Sequence, residues 1–201
     1  MVNGVLGLLL LAGCASERLV QPPSAFPAPL VLTKRLPVAL ETDSAFLDYR
    51  HVESVRGTEW TLAIGAASVD WLGSLLRTSF TEVADSRRAE GVRLVFLPAI
   101  EDVQFSLPDQ SGTEFYEAWI KYRVRVQLPD GRDVADWAIP AYGKSRDGMT
   151  LGADTGLGQA LNQAMRDATA ALAVEINDPE RVAALLRGPG EPRQAAEETG
   201  P

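Results

Sequence analysis

The sequence predicts an α+β fold: a two-layer sandwich in which a mostly antiparallel sheet of four or five strands carries two main helices on one face. Three observations lead there. Apolar and polar residues alternate over 118–127 and resume beyond a turn at Pro129-Asp130-Gly131, the pattern of a hairpin with one dry face and one wet face. Two stretches, starting near Val69 and Leu157, instead repeat apolar residues every three or four positions, the period of a helix. The elements also fall in the order strand, strand, helix, three strands, helix, helix, which is not the strict alternation of an α/β protein.

In chain order, Leu36, Val38 and Leu40 alternate with other residues and predict the first strand. Trp60, Leu62 and Ile64 predict the second, which stops at Gly65. Val69, Leu72, Leu76, Phe80 and Val83 lie at helical spacing, with Ser68 as the expected N-cap and Asp70 in the first turn. The near-continuous apolar run from Leu94 to Ile100 predicts a central strand covered on both faces.

Ala118, Ile120, Tyr122, Val124 and Val126 then point one way; Trp119, Lys121, Arg123, Arg125 and Gln127 point the other. Ala135, Trp137 and Ile139 form the return strand, and Pro140 predicts that it ends there or lies at a sheet edge. Leu157, Leu161, Met165, Ala168 and Leu172 predict the second long helix, ending at Asn177. Asp178-Pro179 suits the start of a short third helix running to about Leu186.

Charge narrows the function classes. The formal net charge is −8, which argues against nucleic acid and against electrostatic docking on anionic lipid. One cysteine and one histidine, Cys14 and His51, leave no intramolecular disulfide and argue against a zinc site. No cofactor is expected.

The N-terminus is the most informative segment. Residues 5–12 form an apolar run too short to span a bilayer, which takes about 20 residues, but of the length of a signal-peptide core. It ends in Leu11-Ala12-Gly13-Cys14. That tetrad closely resembles the lipobox of bacterial lipoproteins: an apolar residue, two small ones, then the cysteine whose thiol accepts a diacylglycerol. The resemblance implies cleavage before Cys14, lipidation of that thiol and a periplasmic location. Ala15, where enterobacterial lipoproteins held in the inner membrane have aspartate, implies the outer membrane. The first four residues depart from the pattern, because such signals begin basic and Met1-Val2-Asn3-Gly4 has no Lys or Arg.

The expected organisation is therefore a signal peptide over 1–13, a lipidated proline-rich tether over 14–29, one periplasmic domain over 30–187 and a disordered tail over 188–201. The domain resembles small envelope lipoproteins of the lipopolysaccharide-assembly and transporter-auxiliary kind. That likeness rests on Gly65-Ala66-Ala67 with the helix reaching Phe80, on Val95-Phe96-Leu97-Pro98, and on Tyr122-Arg123-Val124 leading to Asp130-Gly131. It implies a non-enzymatic part that binds an envelope partner.

Catalytic patterns are sparse. His51 sits in a charged, loop-like context, and no Gly-x-Ser-x-Gly elbow accompanies it. Gly143-Lys144-Ser145 has the end of a phosphate loop but Ala138 where that loop needs glycine, and it is expected as a turn after the hairpin. Gly152, Gly156 and Gly158 are expected to supply loop flexibility before the second helix. Glu101-Asp102 and Glu197-Glu198 are expected to serve solvation, since neighbours on a strand point apart.

Trp119 stands out on the polar face beside Arg123 and Arg125. It is expected either to be covered or stacked, or to anchor a partner. The favoured function is a non-catalytic, lipid-anchored binding or assembly module, held to the membrane by Cys14 and engaging an envelope protein. The alternatives are an envelope-glycan hydrolase with convergent carboxylates and a structural spacer.

Overall fold

The computed structural model describes residues 16–23, 33–148, 152–178 and 183. Cys14, its lipobox, Glu197, Glu198 and the expected third helix, apart from helical Ala183, lie outside them. The elements are β1 (Ser16–Val20), β2 (Lys34–Leu40), α1 (Ser44–Leu47), β3 (Arg50–Val55), β4 (Thr58–Ala63), α2 (Gly65–Ser79), β5 (Phe80–Ala84), β6 (Leu94–Ser106), α3 (Pro108–Ser111), β7 (Phe115–Gln127), β8 (Asp133–Arg146) and α4 (Ala153–Asn177).

The expected α+β class holds. The main sheet has five strands in the order β5-β2-β6-β7-β8. Its β6-β7-β8 half is antiparallel, whereas β2 runs parallel to both β5 and β6. Trp60 and Leu62 do not join it. Their strand belongs to a separate three-stranded sheet, β1-β4-β3.

Every second residue of β7 between Tyr116 and Val126 is buried, and α2 and α4 cover that face. The largest of these side chains, Tyr122, lies edge-on to Trp71 of α2 at 5.3 Å between ring centroids. Its phenol shares a 2.9 Å hydrogen bond with Ser68 Oγ, and burial pushes its pKa up to about 12. Ser68 is thus a core hydroxyl and not the predicted N-cap. The helix begins earlier, at Gly65, whose N–H donates to the Tyr49 carbonyl. A Cβ there would stand 2.2 Å from the Leu47 carbonyl oxygen, so only glycine fits. Asp70 is consequently past the first turn.

The same helix ends before Phe80 and Val83, which the sequence pattern assigned to it. Phe80 has extended dihedrals and opens β5, which finds hydrogen-bonding partners on β2. Its ring packs on Phe96 at 5.7 Å. Strand pairing on an available sheet edge overrides a helical spacing that extends by chance.

β6 is central as predicted, but its double cover is limited to Leu94, Val95 and Phe96; Ala99 is exposed. The return strand β8 does lie at an edge, and it runs past Pro140 to Arg146. Gly143, Lys144 and Ser145 are therefore strand residues and not a turn. Gly143 is where α4 crosses: a Cβ would come within 2.1 Å of the Ala160 carbonyl oxygen. Gly156 sits inside α4 against Tyr116, where a Cβ would come within 2.4 Å of the ring. Gly143 and Gly156 serve close packing, and Gly158 also lies within α4, so of the three expected loop glycines only Gly152 precedes the helix.

The expected tether is also corrected in part. Ser16–Val20 form an edge strand parallel to β4, and Val20 is buried. Asn162 of α4 donates a 2.8 Å hydrogen bond to the Pro23 carbonyl, which fastens the end of this segment. The chain is docked on the domain over Ser16–Val20 and at Pro23, where proline content alone suggested a free spacer.

Candidate functional site: the open face of the β6-β7-β8 sheet

The pleat that buries Tyr122 turns Trp119, Lys121, Arg123 and Arg125 to the opposite face. Among the described residues, no helix lies over this side of the hairpin, so it forms an open surface. Three features organise it.

The first is aromatic. Trp119 is paired in register with Tyr142 of β8, and the rings tilt together at 5.3 Å. Both stay open to solvent, Trp119 at 40% and Tyr142 at 37% exposure. The Tyr142 hydroxyl donates to Glu117 at 2.6 Å, and this bond to a carboxylate holds the phenol above its usual pKa. Trp119 is thus stacked, as one expectation had it, but on tyrosine and not on a guanidinium. Pro140, Ile120, Lys121, Asp102 and Gln104 complete a groove of about 320 Å³ at its edge.

The second is an ion network. Lys121 Nζ lies 2.8 Å from Glu101, which also pairs with Arg123; Arg123 continues to Asp136 at 2.9 Å. A bulge in β6 makes this possible. The register jumps between Ile100 and Asp102, leaving Glu101 as the extra residue. The bulge breaks the strand alternation, so the expectation that Glu101 and Asp102 point apart fails: both meet groups of the open face. The Arg123 and Lys121 bonds hold the Glu101 carboxyl below the usual range. A general acid needs the opposite shift.

The third is a second groove of about 290 Å³, lined by Leu97, Pro98 and Ala99 with Arg123, Arg125 and the Glu41–Asp43 loop. Arg125 lies opposite Asp136 in the ladder. The sequence-predicted trio therefore does not converge on a point. Trp119 and Arg125 stand six residues apart on one strand, about 20 Å. They bracket a stripe with an aromatic end, an ionic middle and a basic end.

Other candidates lie elsewhere. His51 is on β3, not in a loop, and is half-buried edge-on to Phe105, with Nε2 3.2 Å from Glu53. A third cavity of about 300 Å³ sits where the two sheets meet, between Arg18, Arg56, Trp60, Tyr116 and two acids, Asp109 and Asp147. Each acid is already engaged. Arg56 donates to Asp109 at 2.7 Å, and the Tyr116 hydroxyl donates to Asp147 at 3.2 Å. This pair is distant in sequence, and no local motif announced it.

Fold and surface together define an α+β sandwich with one helix-covered face and, among the described residues, an opposite face left open along the β7-β8 hairpin. No family model matches the chain, and no curated protein matches it in sequence. Several solved structures are similar in shape. Protein XCC0632 from Xanthomonas campestris, of family DUF330, is 16% identical, with a TM-score of 0.45 over 79% of this chain and 92% of its own. A Caulobacter crescentus CB15 protein described as a candidate lipoprotein is 10% identical, with a TM-score of 0.44 over 69% and 87%. The hypothetical protein CT253 from Chlamydia trachomatis is 11% identical, with a TM-score of 0.44 over 70% and 98%. Likeness at this level carries nothing about activity or partners. Among the described residues, no helix is long and apolar enough to cross a membrane.

Proposed function

We propose that this chain is a lipid-anchored, non-catalytic binding module of the bacterial cell envelope, held to the periplasmic face of the outer membrane through Cys14. Its open β6-β7-β8 face engages an envelope protein. The observation that carries the binding role is the exposed Trp119–Tyr142 pair on a sheet face that no described helix covers. Tryptophan, tyrosine and arginine concentrate binding energy at protein interfaces, where they fill pockets in the core of the contact. Here they are spread along one rigid hairpin, so the surface is organised before any partner arrives. The anchor rests on the Leu11-Ala12-Gly13-Cys14 lipobox.

The glycan-hydrolase alternative has one observation in its favour, the Asp109 and Asp147 cavity. It is second because both carboxylates are committed to partners, and neither is placed as a free acid facing a free base.

Two measurements test the reading. Labelled palmitate is expected in the wild-type chain and absent from Cys14→Ala; incorporation into that variant would remove the anchor. A photo-crosslinking residue in place of Tyr142 is expected to capture a discrete envelope protein, whereas one in place of Val174, exposed on α4, captures none. The same adducts from both positions, or none from either, would overturn the binding face.

A further inference from the structure

We infer that one end of the domain, built from the turn at Arg56 and Gly57 together with helix α3, is its membrane-apposed surface, seated on phospholipid headgroups. This rests on lipidation of Cys14 and adds to it an orientation.

The leash is the first argument. Cys14 precedes Ser16 by two residues, and Ser16 is already the first residue of β1. Two residues of extended chain reach about 7 Å. An acylated cysteine has its tails in the hydrocarbon, and each headgroup layer is about 5–8 Å thick. The body has no slack with which to leave the headgroups.

Register says which end is held. β1 runs parallel to β4, with Ser16 beside Thr58 and a 2.8 Å bond between their hydroxyls. Thr58 directly follows the turn at Arg56 and Gly57, where both residues have positive φ, 49° and 79°. Arg56 ties the turn to α3 through Asp109, at 2.7 Å to the carboxylate and 2.8 Å to its carbonyl. The cavity shared by Arg56, Asp109, Tyr116 and Asp147 puts the start of β7 and the end of β8 at this same end. The turn at 128–132 is therefore the opposite end. Twelve residues of β7 separate Phe115 from Gln127, about 40 Å.

Charge does not supply the attachment. Arg56, Arg146 and Arg18 at this end are paired with Asp109, Glu114 and Asp154, and Lys144 lies over the Phe115 ring. The acyl chains hold the surface down, so attachment is insensitive to salt and to anionic lipid. The orientation also sets the height of the open face. Trp119 begins about 14 Å above Phe115, and Arg125 lies farther out, so the stripe rises away from the bilayer.

The test uses the full lipidated chain in phosphatidylcholine vesicles that contain headgroup nitroxide lipid. A fluorophore is placed on Glu114→Cys, at the near end, or on Arg132→Cys, at the far end; both positions are exposed. Acylated Cys14 does not compete for the label. Near-end fluorescence is expected to be quenched several-fold more than far-end fluorescence, in low and high salt alike. A 15-residue Gly/Ser insertion between Cys14 and Ser16, which adds about 20 Å of flexible reach, is expected to abolish the difference. Equal quenching in a chain that floats with the vesicles would overturn the orientation while leaving the anchor intact. A chain that does not float, with an unmodified thiol by mass, would overturn the anchor and the orientation with it.

Discussion

The two faces of β7 share one backbone and differ in everything else. Ala118, Ile120, Tyr122, Val124 and Val126 are fully or almost fully buried under two helices. One residue along, Trp119 stacks in the open, and Lys121 and Arg123 form ion pairs. The covered face holds the fold together. Its neighbours can vary without unfolding the chain, because surface pairs contribute little to stability. A large aromatic is therefore informative on the open face in a way that it is not on the covered one.

Substitutions can break that comparison. Tyr122→Ala removes a buried ring and strands the Ser68 hydroxyl; it is expected to cost about 3–5 kcal/mol in chemical denaturation. Gly143→Ala forces a methyl against the α4 backbone and is expected to cost about 1–3 kcal/mol, seen as a lowered melting temperature. A melting point unchanged by Gly143→Ala would mean that α4 does not lie on β8 as described.

Glu41 sharpens the same comparison through pH. Arg87 donates to it through its backbone N–H at 2.7 Å and through its guanidinium, at 2.7 Å from Nη2, and these bonds hold the Glu41 carboxyl below its usual range. A depressed carboxyl stabilises the fold above its unfolded pKa, and the contribution vanishes as pH falls through the folded value. Glu41→Gln is expected to cost about 1 kcal/mol near neutrality and nothing in strong acid, by urea denaturation at both conditions. Trp119→Ala is the smallest, at about 1 kcal/mol or less of stability, the scale of one cross-strand aromatic pair, yet it is expected to abolish crosslinking to the partner.

Much of the fold was legible in the sequence because each signal was local. The β7 alternation and the α4 periodicity both report a boundary between protein and water, which a strand or helix writes with its own period. What was not legible depends on distant neighbours. Phe80 has helical spacing but joins β5, since β2 offers it an edge. Gly143 looks like part of a turn until α4 is seen crossing it. The strand at Ser16–Val20 is mostly exposed and has no amphipathic pattern to show. Within the site, Trp119, Arg123 and Arg125 were readable as polar-face residues. Their partner Tyr142 and the bulge at Glu101 were not, because cross-strand register is not written in either strand alone.

Site-directed accessibility gives the most direct test of the open face as an occupied one. A cysteine replacing Ala138, exposed on β8 opposite Arg123, is compared with one replacing Val174 on α4. In intact envelopes the position 138 thiol is predicted to resist a hydrophilic maleimide and to react freely once the protein is purified, while position 174 reacts in both. Equal reactivity of position 138 in the envelope and in isolation would contradict the account.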